Sequence, residues 1–410
     1  MSTGAAISEA PAGPALEFLV RRAAASRAFF PAHAEWLARL CQQMAEAFAT
    51  GGRLVAFGAS CAARSDARHV AVEFVHPVIV GKRALPAIAL TRESGPLAVQ
   101  ADLALRSGDI AMAFGTEAEE DGAEEACEAL ALARGRGCVT VAFSAASGAE
   151  WEFAPPSTDP FVRQELVETL YHVLWELVHV FFEHGGLLEG KPAGTRHGAG
   201  ASGFLYPFLE RPAADPAGVL DDVRASILMK AEETKELRTR TVEGSHAEIL
   251  AAAATVRAAF EAGNALLAFG NGGSATDAMD VVADFRNPPH GWPRRRALDL
   301  TEDSAILTAL ANDIGAEALF ARQVIAHARP GDVALALSTS GNSPNIVRAL
   351  QEAARRGVAT IALVGYDGGR IAAEKLADHV IVTPSDHIPR IQEAQATVCH
   401  LLRELVETAG

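Results

Sequence analysis

The sequence lacks the features that membrane-spanning and nucleic-acid-binding proteins share. It has no run of about twenty uncharged apolar residues, so no transmembrane helix is expected. Its net charge is −15, and Arg294-Arg295-Arg296 is its only basic cluster. A chain of this charge is not expected to present a nucleic-acid surface. We therefore expect partners that are neither membranes nor nucleic acids.

A disulfide framework and a secretion signal are also missing. The five cysteines are odd in number and scattered without a CxxC pair, a pattern typical of reduced thiols. The N-terminus, MSTGAAISEAPAGPALEF, has no basic segment followed by an apolar core, so no signal peptide is predicted. These features predict a cytoplasmic protein.

The composition that is present fits a large globular chain. A length of 410 residues, an apolar content of 49% and abundant Ala predict two helix-rich α/β domains with sizeable cores. Four segments are expected: a disordered N-terminus (1–13), a first domain (14–184), a Gly-, Ala- and Pro-rich linker (185–218) and a second domain (219–410).

A Gly-rich turn organises the second half. The apolar run 265–269 predicts a buried strand, Gly270-Asn271-Gly272-Gly273 follows as a turn, and Ser274 opens a helical pattern. Free backbone N–H groups and the helix dipole converge at such a turn, which makes it suited to binding an anion. A plain strand-to-helix connection has a similar sequence, so this turn alone decides little.

A hydroxyl-rich loop points the same way. The predicted strand 333–337 runs into Ser338-Thr339-Ser340-Gly341-Asn342-Ser343, and a helix is predicted from about Pro344, a position that proline tolerates well. Capping this helix needs one hydroxyl, whereas the loop supplies four. The excess favours a loop that wraps a phosphate ester.

The order of predicted elements occurs twice in the chain. GRLVAFG at 52–58 aligns with NALLAFG at 264–270, and GDIAMAFG at 108–115 aligns with GDVALALS at 331–338. A self-similar period of about 200 residues indicates a duplicated domain. Because strands alternate with helices, the predicted fold class is α/β, with two tandem doubly wound parallel sheets. Such sheets bind ligands at the carboxyl ends of their strands, where both turns lie.

Four motifs carry a family resemblance. GNGGSATDAMD, LSTSGNSPN, VGYDGG and RIQE, in this order and spacing, resemble the sugar isomerase (SIS) domain family, and within it the phosphoheptose isomerases. The resemblance is strong over residues 225–410. It implies a flavodoxin-like, three-layer α/β/α fold and a phosphorylated sugar as substrate, in this branch sedoheptulose 7-phosphate, which is converted to a heptose 7-phosphate.

The resemblance also implies which residues hold the substrate. The implied phosphate-binding residues are Ser274, Ser338, Thr339, Ser340 and Ser343. The implied further substrate contacts are Asn271, Gly272 and Asp313.

Members of the family hold zinc through a His and a Glu four apart on the helix after GNGGS, and through a Gln and a His eight apart on the last helix. In the second half the matching positions are Asp280, Asp284, Gln392 and His400. In the first half they are His69, Glu73, Gln164 and His172. The first half thus keeps the complete set, which implies zinc or a similar divalent metal there, with Glu73 as catalytic base and His172 as catalytic acid.

The spacing of these residues is compatible with one metal ion. His69 and Glu73 lie on one face of a helix, and Gln164 and His172 lie on one stripe of another. Two imidazoles, a carboxylate and an amide oxygen suit zinc or a similar ion. A His and a Glu four apart are also common on exposed helices, so the argument for a metal depends on all four positions.

The expected phosphate-binding loops, in contrast to the expected metal ligands, are complete only in the second half. The first half has GASCA at 58–62 in place of GNGGS, and GTEAEED at 115–121 in place of the hydroxyl-rich loop. Carboxylates there would repel a phosphate dianion. We therefore expect one composite site, with metal and acid/base residues from the first domain and phosphate loops from the second. Family members are tetramers, so the resemblance also implies a homodimer that forms a pseudo-tetramer of SIS domains.

Two other functions remain compatible with the sequence. SIS domains also serve as sensors, so a non-catalytic phosphosugar-binding regulatory or scaffold protein is the main alternative. Asp280 and Asp284 favour it if the domains act separately. The third possibility is isomerisation of a different phosphosugar.

Overall fold

The computed structural model of the chain describes residues 14–77, 82–183 and 216–408. The predicted disordered N-terminus and residues 185–215 of the predicted linker lie outside these ranges. Residues 216–218 of that linker are described, and they begin the helix Pro216–Gly244. The second domain therefore begins at least three residues before the predicted boundary.

The first half contains one parallel sheet and the helices that cover it. The strands are β1 (Leu54–Gly58), β2 (Ala87–Thr91), β3 (Ile110–Ala113), β4 (Val139–Ala142) and β5 (Trp151–Glu152). The helices are α1 (Pro14–Ala49), α2 (Cys61–Val75), α3 (Leu97–Ala104), α4 (Ala123–Gly135) and α5 (Pro160–Glu183), with a 3₁₀ turn at Arg92–Ser94. The strand order is β2-β1-β3-β4-β5, and neighbouring strands are parallel.

The second half repeats this arrangement. Its strands are β6 (Leu266–Phe269), β7 (Ala297–Asp299), β8 (Val333–Ser338), β9 (Ala359–Gly365) and β10 (His379–Thr383). Its helices are α6 (Pro216–Gly244), α7 (His246–Glu261), α8 (Gly273–Arg286), α9 (Ser304–Asp313), α10 (Leu319–His327), α11 (Pro344–Arg355), α12 (Gly369–Ala373) and α13 (Ile388–Thr408), with a 3₁₀ turn at Ala316–Ala318. The order β7-β6-β8-β9-β10 is that of the first sheet, again with parallel neighbours.

The predicted fold class is confirmed. Each half is a five-stranded parallel sheet, and the strand order 2-1-3-4-5 within each half is that of flavodoxin-like folds. The short strand β5, which pairs with β4, lies in a stretch that the sequence predicted as a loop. Its two residues are too few to produce a strand pattern.

Apolar residues cover both faces of each sheet. Along β1, Leu54 and Ala56 belong to one core, while Val55 and Phe57 belong to another on the opposite face. Successive side chains of a strand point to opposite faces, so an unbroken apolar run has to be covered on both. The second sheet is buried in the same way.

The first helix of each half packs on the other half. Phe18 and Leu19 of α1 lie in the core of the second half, together with Val256 of α7. Val223 and Ile227 of α6 lie in the core of the first half. The two halves therefore exchange apolar surface, and neither core is completed by its own half alone.

Helices α2, α5, α8 and α13 lie where the halves meet. Helix α2 packs against α8, and α13 packs against α5 and α8. Both helix pairs that carry the predicted metal-ligand positions are thus brought to the junction. Within the described ranges, no helix combines the length and apolar character needed to cross a membrane.

Candidate active site

Helices α2 and α5 bring three of the predicted residues together. The Ser60 side chain caps α2 by accepting a hydrogen bond from the Ala63 backbone N–H at 3.1 Å. One turn apart on this helix, His69 and Glu73 point inward and are 1% and 2% exposed. His172 on α5 is fully buried beside them.

The distances between these side chains are short. His69 Nε2 lies 3.3 Å from His172 Nε2 and 3.9 Å from Glu73 Oε1. One donor atom from each of the three lies within 4.8 Å of one from each of the others. Two uncharged imidazole nitrogens and a carboxylate oxygen thus converge on one point inside the protein.

The glutamine beside them comes from the second half. Gln164, the predicted fourth ligand, contacts Asp280 instead. The amide of Gln392, on α13, lies 3.4 Å from His69 Nε2. We call His69, Glu73, His172 and Gln392 the histidine cluster. The sequence analysis names Gln164 as the glutamine of this set, whereas the structure places Gln392 beside His69.

The histidine cluster fits a tetrahedral metal ion. Two nitrogens that each lie about 2.0–2.1 Å from a zinc ion are separated by about 3.4 Å, close to the spacing of the two Nε2 atoms here. Glu73 Oε2 and Gln392 Oε1 are buried without a hydrogen-bond partner. Rotating the Gln392 amide by half a turn would present its oxygen to His69. The donor set and its unpartnered oxygens are therefore those of a site for zinc or a similar ion.

Burial favours the uncharged forms of His69 and Glu73. It holds the pKa of His69 well below the usual value, and the neighbouring His172 acts in the same direction. It raises the pKa of Glu73 to about 7, against an opposing effect of His172. A neutral imidazole has the lone pair that a metal requires, and a cation would favour the ionised form of Glu73.

His172 has one nitrogen that faces the cluster. Its Nδ1 lies 3.0 Å from Glu393 Oε1, whereas Nε2 faces His69. The predicted roles of ligand and of acid therefore compete for Nε2.

The two phosphate turns lie side by side. We call Gly270–Ser274 the glycine turn and Ser338–Ser343 the serine loop. The turn follows β6, and the loop begins with the last residue of β8, at the same edge of the sheet. Reciprocal hydrogen bonds join the turn to the start of α11, with Asn271 Nδ2 to Asn345 Oδ1 at 3.0 Å and Asn345 Nδ2 to Asn271 Oδ1 at 2.8 Å.

The hydroxyl groups of the glycine turn and the serine loop are not all engaged in helix capping. Ser343 occupies the N-cap position of α11, but its side chain makes no capping hydrogen bond. Ser338 Oγ is buried without a partner, and Ser274 is buried at the first turn of α8. Ser340 Oγ accepts a hydrogen bond from the Asn342 backbone N–H at 3.2 Å, which shapes the loop. Thr339 is half-buried. The arrangement leaves hydroxyls and helix N-termini available to an anion.

The turn and the loop both adjoin the histidine cluster. A Cβ at Gly273 would overlap the Gln392 amide and lie 2.7 Å from His69 Nε2. The serine loop reaches the cluster less directly. A Cβ at Gly365 would come within 2.5 Å of both the Thr339 carbonyl oxygen and Ile391, the residue before Gln392. The glycine turn of the second half therefore lies against an imidazole of the first half.

A second cluster occupies the equivalent place on the other side of the junction. We call Asp280, Asp284, His400 and Gln164 the mirror cluster. His400 Nε2 lies 3.8 Å from Asp284 Oδ2. Asp280 forms hydrogen bonds with the side chains of Ser65 and Gln164. Burial raises the pKa of Asp280 to about 7 and that of Asp284 to about 6. In each cluster the glutamine comes from the half that does not supply the histidine.

The loops beside the mirror cluster are filled by the protein's own carboxylates. Ser60 Oγ donates a hydrogen bond to Glu120 Oε1 at 2.5 Å, and Glu117 pairs with Arg163. Glu120 comes from the first-half segment that corresponds to the serine loop. The Glu120 carboxylate thus engages the hydroxyl at the start of α2.

One predicted substrate residue lies apart. Asp313 is exposed at the end of α9, where it accepts a hydrogen bond from Asn312 Nδ2 at 2.7 Å. No hydrogen bond found in the described part of the chain connects it to either cluster.

Residues outside the predicted set also belong to the site. Asp277 Oδ1 lies 3.6 Å from His69 Nδ1, and Glu393 contacts His172. Both belong to quoted motifs, GNGGSATD and RIQE. The pair Gln-Glu also occurs in the first half, at 164–165, and this repetition was a signal for Glu393 that the sequence analysis did not use.

Comparison with known proteins identifies the family of this chain. A model of the SIS domain family matches residues 231–365. The phosphoheptose isomerase of Roseiflexus sp. strain RS-1 is 41% identical over 196 residues, 46% of the chain and 91% of that protein. The phosphoheptose isomerase of Aquifex aeolicus strain VF5 is 42% identical over 179 residues, 43% of the chain and 91% of that protein. The chain belongs to the SIS domain family.

These sequence matches cover less than half of the chain, but a structural match covers nearly all of it. The C-terminal domain of glucosamine-fructose-6-phosphate aminotransferase from Francisella tularensis superposes with a TM-score of 0.56, over 98% of this chain and 97% of that one. At 10% identity the likeness concerns the fold alone. It agrees with the two-domain α/β architecture of this chain.

Proposed function

We propose that this protein is an aldose–ketose isomerase of phosphorylated sugars, with sedoheptulose 7-phosphate as its substrate and one composite site per chain. The observation that carries the proposal is the contact of Gln392 and the glycine turn with His69. It joins a metal-ligand set of the first half to phosphate loops of the second. The names of the Roseiflexus and Aquifex relatives supply the substrate.

In this proposal the four members of the histidine cluster hold zinc or a similar divalent ion. Such an ion, when bound, supplies Lewis-acid polarisation of the substrate's carbonyl and hydroxyl oxygens. Gln392 and His69 come from different halves, so the ligand set is complete only when the halves are docked.

Glu73 is the proposed base. Its Oε1 faces the imidazoles, whereas Oε2 is buried without a partner and is free to accept a proton. The base removes the proton from the carbon next to the carbonyl while the carbonyl oxygen takes a proton from the acid, which gives an enediol. The same carboxyl then returns its proton to the neighbouring carbon as the other enediol oxygen gives its proton back to the acid. A bound cation keeps Glu73 ionised, which is the form that accepts this proton.

His172 is proposed mainly as a metal ligand and secondarily as the catalytic acid. Its Nδ1 is engaged by Glu393, so Nε2 is the nitrogen available for either role. The 3.3 Å approach of His69 Nε2 favours the ligand role, because two imidazole lone pairs facing each other need a shared cation or proton.

The phosphate group is proposed to bind between the glycine turn and the serine loop. Backbone N–H groups at the starts of α8 and α11 and hydroxyls such as Ser274, Ser338 and Ser343 are the donors. This remote binding positions the reacting carbons against Glu73 and supplies binding energy to the chemical step.

The regulatory alternative loses its main support. It was favoured by Asp280 and Asp284 beside well-kept phosphate loops, but these residues belong to the mirror cluster. A sensor also has no need of an intact His, Glu, His and Gln set. The homodimer, the cytoplasmic location and the identity of the sugar stay predictions.

The test of the proposal combines metal analysis with turnover. We expect about one divalent ion per chain, because among the described residues the ligand atoms of Asp280, Asp284 and His400 do not converge within 4.8 Å as those of His69, Glu73 and His172 do. Sedoheptulose 7-phosphate turnover should vanish after chelation and return when zinc is added back. Bound phosphosugar without metal and without turnover would contradict the proposal and favour the regulatory alternative.

A glycine substitution tests the contact between the halves. Gly273→Ala should displace the Gln392 amide, since that amide is the movable end of a side chain, and should leave the fold intact. We expect zinc affinity to fall about 10- to 100-fold. A zinc titration against a chromophoric chelator measures it. Gly135→Ala, whose Cβ meets nothing within 4 Å, is the control. Equal affinities in the two variants would contradict the packing described here.

A further inference from the structure

Each imidazole of the histidine cluster is contacted by a carboxylate of the second half. Glu393 Oε1 lies 3.0 Å from His172 Nδ1, and Asp277 Oδ1 lies 3.6 Å from His69 Nδ1. Both carboxylates contact the nitrogen that faces away from the cluster. The first half thus supplies the imidazoles, and the second half supplies the groups that orient them.

The position of Glu393 is fixed from its other side. Its Oε2 lies 2.7 Å from Arg390 Nη1 and 2.6 Å from Thr234 Oγ1, and Arg390 Nη2 also pairs with Glu176 at 2.7 Å. Glu393 is fully buried, and Arg390 and Thr234 are 3% and 1% exposed. A guanidinium has only donors, so the oxygen facing Arg390 has to be an acceptor.

This arrangement decides where His172 carries its proton. A carboxylate has only acceptors, so Nδ1 has to donate to Oε1. The neutral imidazole then has its lone pair on Nε2, the atom that faces His69. Nε2 is therefore kept in the form that a metal ligand needs.

The mirror cluster has an equivalent arrangement, in which a buried glutamate contacts the histidine. Glu165 Oε1 lies 2.8 Å from His400 Nδ1 and 2.7 Å from Arg22 Nε, and its Oε2 lies 2.7 Å from Thr397 Oγ1. Glu165 is 1% exposed. Glu165 thus resembles Glu393 in burial and in ion pairing. The imidazole that it orients, however, belongs to the mirror cluster, which does not have the full His, Glu, His and Gln set.

We propose that Glu393 is a positioning residue, which reaches across the junction and fixes His172 with its Nε2 lone pair directed at the histidine cluster. The inference rests on the proposed function only in that a metal occupies the cluster. It adds a requirement that the four ligands alone do not impose: the second half determines the tautomer of a first-half histidine.

The substitution Glu393→Gln tests this requirement. Arg390 forces the amide oxygen to face it, so the amide N–H₂ group has to face His172 Nδ1. His172 must then accept at Nδ1 and carry its proton on Nε2, where it blocks the metal. We expect zinc affinity to fall about 10- to 100-fold, in the range for loss of an outer-shell partner.

The matched control is Glu165→Gln. It removes an equally buried charge beside Arg22, so its effect on folding should be similar, but zinc affinity should stay within about twofold of the unsubstituted protein. Zinc titration against a chromophoric chelator, with circular dichroism to check folding, gives the readout. If Glu393→Gln does not fold, Thr234→Val removes one group that fixes Glu393, and it should lower zinc affinity by about two- to fivefold.

The outcomes separate this inference from the proposed function. Equal zinc affinities of the two Gln variants, or an unchanged affinity in Thr234→Val where that variant is needed, would overturn the positioning role even if the unsubstituted protein isomerises its substrate. A weaker affinity in Glu393→Gln alone would support the role, even if no sedoheptulose 7-phosphate is turned over. An unsubstituted protein that binds no zinc at micromolar concentration would overturn both.

Discussion

Replacing Glu73 with Gln should abolish most of the turnover while the protein still folds and binds phosphosugar. The substitution keeps the size of the side chain and an oxygen that can face His69, but it removes the proton acceptor at Oε2. Loss of a general base costs about 10²- to 10⁴-fold in rate. We therefore expect kcat to fall by that range, measured at saturating zinc.

The chain supplies its own control for this substitution. Asp284 takes the place of Glu73 in the mirror cluster, and it is also a carboxyl whose pKa is raised by burial. Asp284→Asn should leave kcat within about threefold, because additive effects are expected for sites without shared partners. Calorimetric titration with substrate should give similar affinities for both variants. A Glu73→Gln protein with unchanged kcat would remove Glu73 from the mechanism.

The sequence predicted the fold well because each strand is an unbroken apolar run between turns. The strands predicted at 265–269 and 333–337 are observed at Leu266–Phe269 and Val333–Ser338, within one residue at each end. The duplication was visible for the same reason, since two strand–turn pairs align without gaps. The ends of strands depend on pairing with neighbours, which accounts for the small differences.

The sequence could not predict which half completes which site. Gln164 and Gln392 occupy the same place in the repeat, and each is followed directly by a Glu and, eight residues later, by a His. Their neighbours are decided by the packing of α5 against α13 across the junction. The sequence also does not reveal that α1 packs in the core of the second half and α6 in the core of the first half, because an amphipathic helix does not specify its partner.

The two glutamines give the sharpest test of a site shared between halves. Gln392→Ala removes the amide that lies 3.4 Å from His69 Nε2, whereas Gln164→Ala removes one that contacts Asp280. Both are on long helices, so alanine at either position should preserve the helix. Zinc affinity should fall in Gln392→Ala by more than the about 10- to 100-fold expected for an outer-shell partner, because a ligand is lost. Turnover at limiting zinc should fall with it.

Gln164→Ala should bind zinc as the unsubstituted protein does, since its amide belongs to the mirror cluster. The reverse result, with zinc affinity lost in Gln164→Ala and kept in Gln392→Ala, would mean that each half completes its own metal site, as the sequence alone suggested. The predicted result would mean that the duplicated chain has kept the exchanged architecture while losing one of its two sites. In that case the second domain is needed for the metal as well as for the phosphate. This explains why a half with Asp280 and Asp284 in place of the His and the Glu still retains the Gln-Glu pair of its last helix.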